Sequence, residues 1–296
     1  MTKKIDRAYS FMSANIAYMR CPICGGATRA EPYALICGEG HSFDIARKGY
    51  VNFIAGRARN ERVYKRRLFE AREEISRAGL YSPLCDSLAI HAANHLASAA
   101  TDAVIDVGCG GGYITRSLLP CFEKRPVFAL DISKEGISFA AGEQADGIGW
   151  IVADMNKMPF ASHSAVLALS VMSPSCYEEF ARILAPGGIL IKVIHGSGYL
   201  KELRHFIYGE YEDKQYSEND VFTNLARHCD IIDIEDISYT FDTPNALRAS
   251  LYDMTPLTSD FGCLLDGSER SRAAFIGESG NFEVGLEFRI AVCRIR

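Results

Sequence analysis

No stretch of this chain approaches the ~18 consecutive apolar residues that a membrane-spanning helix needs. The amino terminus also lacks a secretory core: Lys3, Lys4 and Arg7 supply charge, but Phe11 to Met19 is interrupted by Ser13 and Asn15. The expectation is a cytoplasmic chain with no membrane partner. A basic excess is missing as well. The formal net charge is −5, so the whole-molecule field does not advertise a polyanion, and any nucleic-acid contact must come from a local patch. There is no internal repeat and no low-complexity run, which excludes solenoids and long disordered linkers. Cysteine is not scarce, with ten in 296 residues. Without a secretory signal a disulfide framework is unsupported, and metal ligation explains some of them better. The length fits one large domain with an appendage, or two modest domains.

Cys21-Pro-Ile-Cys24 is a CxxC knuckle, and Gly25-Gly26 lets the chain turn beneath it. Cys37 and His41 follow as CxxxH. Three thiolates and one imidazole, Cys21, Cys24, Cys37 and His41, suit tetrahedral Zn²⁺, and a site closed by four protein ligands is structural. Tyr33–Cys37 and His41–Ile45 read as short strands, which gives a zinc ribbon. A redox CxxC is the competing reading, but no thioredoxin-like βαβ pattern surrounds it. The other cysteines, Cys85, Cys109, Cys121, Cys176, Cys229, Cys263 and Cys293, are scattered and read mostly as small buried hydrophobes.

The most informative segment is Ala103-Val-Ile-Asp-Val-Gly-Cys-Gly-Gly-Gly-Tyr113. It reads as an apolar strand ending near Asp106 and running into a glycine turn, with Gly108, Gly110 and Gly112 at alternate positions. Glycine permits tight turning and close backbone approach to a ligand. Tyr113–Leu119 then reads as a helix whose first amides face the same crevice. A second apolar strand, Val127–Asp131, ends in an acid about 20 residues on, placed to accept hydrogen bonds from ribose hydroxyls. The Asp-x-Gly-x-Gly-x-Gly pattern resembles motif I of class I S-adenosylmethionine-dependent methyltransferases. That resemblance implies cofactor contacts from Asp106, Gly108, Cys109, Gly110, Gly112, Tyr113, Asp131 and Ile132.

Gly149–Asp154 reads as a third strand followed by the loop Met155–Phe160, and Ser164–Val171 as a fourth, largely apolar as a central parallel strand should be. The resemblance puts Asp154 and Met155 against the adenine ring, and Ser170 among the cofactor contacts. The fourth strand ends at Met172-Ser173-Pro174-Ser175, where open α/β sheets place ligands. Tyr177–Ala185 reads as a helix stopped by Pro186-Gly187-Gly188, with a fifth strand over Ile189–Ile194. This alternation predicts a doubly wound sheet. Beyond it, Gly198–Tyr208 and Val221–Arg227 read as helices, and Ile231–Phe241 and Phe282–Arg296 as strands, the last alternating well through Phe282, Val284, Leu286, Phe288, Ile290 and Val292. Between the two halves, Arg57–Arg77 reads as a connector helix with a positive first half, Arg57, Arg59, Arg62, Lys65, Arg66 and Arg67. It is either a phosphate-tracking patch or a solvated helix with internal Glu–Arg pairs. A neighbouring zinc ribbon favours RNA.

From about residue 20 the chain resembles the bacterial large-subunit ribosomal RNA guanine-N1 methyltransferases. The motifs that carry the resemblance are CPIC with CGEGH, Phe43–Asn52, Ala78–Leu84, IDVGCGGGYIT, ALDISKEGI, the Met-Pro-Phe loop, Ser173-Pro174, LAPGG, Tyr199–Leu203 and Asp253-Met-Thr-Pro256. The resemblance implies an α/β class I (Rossmann-like) fold with a mostly parallel seven-stranded sheet and a small amino-terminal zinc ribbon. It implies S-adenosylmethionine and structural zinc, and methylation of N1 of a guanine in a hairpin loop of the large-subunit (23S) rRNA. It also implies an effect on macrolide sensitivity and a homodimer. The expected organisation is an extension over 1–20, a zinc-ribbon RNA-recognition domain over 21–56, a basic helical connector over 57–84 and the methyltransferase domain over 85–296.

The chain departs from its relatives around the substrate mouth. Asn60–Tyr64 replaces a Gly-Asp-Ser stretch, Leu80 stands for a histidine, His195 for a proline and Tyr199 for a histidine. The tryptophan expected after Met-Thr-Pro is absent, and Trp150 is the only one in the chain. Ser173 and Pro174 read as substrate-wall residues. His195 reads as a base or donor, or as a structural strand-end histidine, and Tyr199 as a base-stacking ring or a helix cap. Two alternatives stand beside the rRNA reading: a class I methyltransferase for a small molecule or another RNA position, and a zinc-dependent RNA-binding protein with an inactive methyltransferase fold.

Overall fold

The computed structural model describes residues 2–54, 65–96, 102–122, 125–143, 146–209, 218–256 and 268–296. Four strands form its centre: β5 (Ala103–Val107), β6 (Val127–Asp131), β7 (Ile148–Val152) and β8 (Ala165–Val171). Nearly every residue in them is buried, because helices cover both faces and leave no solvent side to select polar residues. They lie parallel, in an eight-stranded sheet of order β10-β11-β9-β8-β5-β6-β7-β4. β9 (Leu184–His195) pairs parallel with β8, while β11 (Phe282–Ile295) and β10 (Cys229–Thr243) close that side antiparallel. The strand order reverses between β5 and β8, which opens a crevice at their carboxyl ends.

Seven of these strands are those of the expected methyltransferase sheet. The eighth has no counterpart in the sequence reading: β4 (Tyr50–Asn52) comes from the segment assigned to the zinc ribbon and pairs parallel with β7, Tyr50 opposite Trp150. Three residues are too few to show a period. The ribbon's own antiparallel sheet is β1 (Thr28–Glu31), β2 (Ala34–Cys37) and β3 (Ser42–Asp44).

Residues 1–20 contain helix α1 (Lys4–Ala14). Phe11 and Met12 press onto Gly149 of β7, where a Cβ would lie 2.6 Å from the Phe11 ring. Tyr33 of the ribbon donates to Asp6 at 2.9 Å, so the helix bridges ribbon and sheet. The connector contains α2 (Arg66–Arg77). It is followed by α3 (Ser82–Leu96), whose Leu84, Leu88, Ala92 and Leu96 form an i, i+4 buried stripe. α4 (Tyr113–Leu118) and α5 (Lys134–Ala140) follow β5 and β6. α6 (Tyr177–Ile183) ends two residues before the expected point, because Leu184-Ala-Pro-Gly-Gly188 is drawn into β9 as Leu184 pairs with Ala165. The later elements are α7 (Lys201–Tyr208), α8 (Glu218–His228), α9 (Arg248–Asp253) and α10 (Ser268–Gly277). No helix among the described residues is long and apolar enough to cross a membrane.

Candidate active site and metal centre

The glycine turn leaves β5 at the crevice. Gly108, Gly110 and Gly112 all take positive φ, +82°, +56° and +75°, the left-handed region that other residues enter at a cost. Two of them are also sites of close approach. A Cβ on Gly108 would lie 2.4 Å from the Ser173 Cβ, and one on Gly112 would lie 2.4 Å from the Trp150 ring. Asp131, at the end of β6, accepts from the Gly110 amide at 2.9 Å and from the Ser133 amide at 2.7 Å. The carboxylate therefore fixes the turn and stands at the cavity edge. Burial raises its pKa, opposed by those two amides. Asp106 is more enclosed and accepts from the Thr115 hydroxyl at 2.5 Å. Burial pushes its pKa up to about 6. Asp154 caps the short turn Met155–Lys157 by accepting from the Asn156 amide at 2.9 Å.

These groups line a cavity of about 1070 Å³. Asp106, Gly108 to Gly112, Tyr113, Asp131, Ile132, Asp154 and Met155 line it together with Met172, Ser173, Pro174, His195 and Tyr199. The fold thus brings together the cofactor and substrate candidates read from the sequence, with one exception. Ser170 is fully buried behind the wall, where it receives the Lys192 ammonium at 3.0 Å and lies 3.0 Å from the Ser173 hydroxyl. The Ser173 hydroxyl donates to the Val107 carbonyl at 2.8 Å. Met172, between them, has a φ of +48°, a strained backbone of the kind that collects at functional sites. His195 ends β9, its ring 5.4 Å from that of Tyr199, and burial lowers its pKa, so the imidazole is neutral at pH 7. The Tyr199 and Tyr81 hydroxyls meet at 2.8 Å. Leu80, His195 and Tyr199, dispersed departures in sequence, sit in or against one aromatic wall with Tyr239 and Phe288.

Several wall residues are absent from the sequence reading. Phe69 of α2 lies over Gly110, Gly111 and Gly136, and Arg72 donates twice to the Met254 carbonyl, at 3.2 and 2.9 Å. Glu73 binds Arg116, which itself donates to the Gly111 carbonyl at 2.9 Å. The apolar Phe69 in a charged helix is the signal that could have found them. Lys201, Arg204 and His205 of α7 line the mouth. In the connector, Arg66 pairs with Glu70 at 2.6 Å and Arg67 with Asp253 at 2.7 Å, while Lys65 is exposed. The Arg66–Glu70 pair is exposed on both sides and contributes only about 0–1 kcal/mol, whereas Asp253 is largely enclosed and also pairs with Arg272. Arg57, Arg59 and Arg62 lie outside the described residues.

The four zinc candidates converge. All four ligand atoms lie within 4.8 Å of one another, with Cys24 Sγ to Cys37 Sγ at 3.7 Å, Cys21 Sγ to His41 Nδ1 at 3.6 Å and Cys37 Sγ to His41 Nδ1 at 3.3 Å. Tetrahedral zinc at ordinary bond lengths requires S···S near ~3.8 Å and S···N near ~3.6 Å, so the donor set fits Zn²⁺. Of the other cysteines, Cys85, Cys229 and Cys293 are buried, while Cys109, Cys121 and Cys176 are partly exposed. Cys263 lies outside the described residues.

Residues 104–188 match the family described as "Methyltransferase domain", and residues 19–59 match "RlmA, N-terminal", a zinc ribbon. The 23S rRNA (guanine(748)-N(1))-methyltransferase of Streptomyces fradiae is 30% identical over 280 residues, 94% of this chain and 97% of that protein. YxjB of Bacillus subtilis (strain 168), named as a 23S rRNA (guanine-N(1)-)-methyltransferase, is 36% identical over 226 residues, 73% of this chain and 79% of its own. A solved structure from Anaeromyxobacter dehalogenans, described as a type II methyltransferase, shares the fold with a TM-score of 0.52 at 15% identity. It covers 70% of this chain and 95% of that one. With the catalytic and zinc-ribbon segments both matched and a relative aligned along nearly its whole length, this chain belongs to the family of 23S rRNA (guanine-N1)-methyltransferases.

Proposed function

We propose that this protein transfers a methyl group to N1 of a guanine in 23S rRNA, acting in the cytoplasm as a homodimer. The observation that carries the reading is the single cavity lined both by Asp131 with the glycine turn and by Ser173, His195 and Tyr199, in a chain that aligns over 94% of its length with an enzyme named for this reaction. S-adenosylmethionine, when bound, would supply an electrophilic sulfonium methyl whose departing sulfur would keep the C–S electron pair. Asp131 would hold the ribose hydroxyls, Asp154 and Met155 the adenine edge, and Gly108 to Gly112 would pass beneath the methionine moiety. The cavity's volume leaves room for a guanine beside that cofactor.

On the acceptor side the chain must orient the base and remove the N1 proton. Ser173 and Pro174 form the wall against which the base edge rests. His195, kept neutral by burial, takes the N1 proton on an imidazole nitrogen. Orientation alone supplies a large part of the rate, and a hairpin-loop base reaches such a pocket more cheaply than one in a duplex. Cys21, Cys24, Cys37 and His41 hold zinc in a structural role, while Lys65, Arg66 and Arg67 at the start of α2, with Lys201 and Arg204 at the mouth, offer cations to phosphates.

The test uses zinc-loaded protein, tritiated S-adenosylmethionine and 23S rRNA lacking native methylation, with nucleosides resolved after digestion. Label in 1-methylguanosine is expected. Label in another nucleoside, or none despite cofactor binding, refutes the assignment.

A further inference from the structure

β9 is apolar through Ile189-Leu-Ile191 and Val193-Ile194, yet it carries Lys192 at its middle. An ammonium in a strand covered on both faces is unusual unless something holds it. Lys192 is 3% exposed, and among the described residues no carboxylate lies within ion-pair distance of it. Its ammonium donates instead to the Ser170 hydroxyl at 3.0 Å and to the Ser173 carbonyl.

Both partners belong to the end of β8, where the chain leaves the sheet through the left-handed Met172. From there the contacts run on into the cofactor side. The Ser173 hydroxyl donates to the Val107 carbonyl at 2.8 Å, and the Ser173 Cβ fills the place a side chain on Gly108 would take. One continuous set of contacts therefore joins the Lys192 ammonium, the acceptor wall and the glycine turn.

We propose that Lys192 is a positioning residue for methyl transfer: its buried ammonium, gripping Ser170 and the Ser173 carbonyl, holds the Met172–Pro174 turn in register with the glycine turn and so sets the distance between acceptor and methyl donor. The inference rests on the reading of this cavity as a methyl-transfer site. Burial lowers the proton affinity of Lys192 to a pKa of about 8, so the fold gives up stability to keep a cation here. Such a trade is common at working sites and rare in plain cores. Methionine has similar length and no charge, and it suits the surrounding apolar strand.

The experiment compares wild type with Lys192→Met and Lys192→Arg. It measures kcat on rRNA, cofactor affinity by calorimetry, Tm, and deuterium uptake at the amides of Met172, Ser173 and Ser175. For Lys192→Met the expected result is a kcat lower by roughly ten- to a hundredfold, as misplacement of reacting groups produces. Cofactor affinity should stay within roughly twofold, Tm should be at or above wild type, and exchange at those amides should be faster. Lys192→Arg, which keeps the cation, should retain more of the rate than Lys192→Met. Unchanged kcat in Lys192→Met overturns the proposal, and so does a parallel fall of kcat, affinity and Tm, which marks a purely structural lysine. If wild type itself transfers no methyl to rRNA, the functional reading fails separately. The exchange data then decide about Lys192, with faster uptake supporting its grip on the turn and unchanged uptake overturning it.

Discussion

Gly108→Ala is the sharpest single perturbation of the joint between the glycine turn and the Met172–Pro174 wall. The new Cβ would lie 2.4 Å from the Ser173 Cβ and 2.8 Å from its hydroxyl, against the ~3.5–4.0 Å of an ordinary carbon contact. The position also sits at φ +82°, where a side chain costs roughly 1–2 kcal/mol. Overpacking adds roughly 1–3 kcal/mol, so the total is about 2–5 kcal/mol. At roughly 2–4 °C per kcal/mol for a chain of this size class, Tm should fall by about 10 °C. Cofactor affinity should fall at least tenfold, because relief of the overlap must move either the turn or the wall. The steric share can be isolated. Ser173→Ala removes the 2.8 Å hydroxyl contact but keeps the closer Cβ and should rescue little, whereas Ser173→Gly removes both. The double variant Gly108→Ala/Ser173→Gly should therefore show a coupling of about 1–3 kcal/mol relative to the two singles. Thermal unfolding and calorimetric cofactor titration of the set measure both effects. A Gly108→Ala variant with wild-type Tm and affinity, or equal rescue by Ser173→Ala and Ser173→Gly, would refute the reasoning.

Asp131→Asn loses one of the two oxygens that accept the Gly110 and Ser133 amides; cofactor affinity should drop by about 1–3 kcal/mol, seen by calorimetry, and undiminished affinity would exclude Asp131 from the cofactor site. Asp106 supplies a pH test. Its pKa rises from an ordinary 3.8 to about 6 on burial, so the folded protein binds more protons than the unfolded chain between those values. Its contribution to stability is thus full below about pH 4 and is lost as pH rises through about 6, by at most about 3 kcal/mol at pH 7. Asp106→Asn should flatten that part of the Tm-versus-pH curve; an identical curve in the variant counts against this assignment. Chelation of zinc should abolish rRNA methylation while cofactor binding persists, and it should change the fluorescence of Trp150, which is paired with Tyr50 of β4; activity unaffected by complete metal removal would rule out a structural role for the site. Neutralising Lys65, Arg66 and Arg67 together should weaken rRNA binding and lower the salt slope by up to ~1 for each phosphate they neutralise, leaving cofactor affinity unchanged; an unaltered slope would assign these cations to their intrachain pairs alone.

The parts legible in the sequence are those in which neighbours along the chain do the chemical work. The CxxC and CxxxH pairs are local, and so is the run from β5 into Gly108, Gly110 and Gly112. β6 and β8 show themselves as largely apolar runs because both faces are covered. What is not legible depends on distant partners. Arg72 reads as one more connector charge, yet its bond to the Met254 carbonyl, 182 residues away, makes it part of the cavity roof. The resemblance puts Ser170 among the cofactor contacts, but its side chain lies behind the wall against Lys192. The mouth departures Leu80, His195 and Tyr199 carry no hint of their common wall, since β9 and β11 must pair before they meet.

β4 makes the boundary between zinc ribbon and catalytic sheet a shared strand rather than a hinge. If residues 1–56 were removed, the backbone amides and carbonyls of β7 that now pair with Tyr50–Asn52 would become a raw, hydrophobic sheet edge, a template for pairing with other chains. The catalytic half is therefore not a free-standing unit to which the ribbon is merely appended. A chimera that exchanges the ribbon would need to carry the replacement through Asn52 and keep β4's register on β7, or it would trade specificity for aggregation.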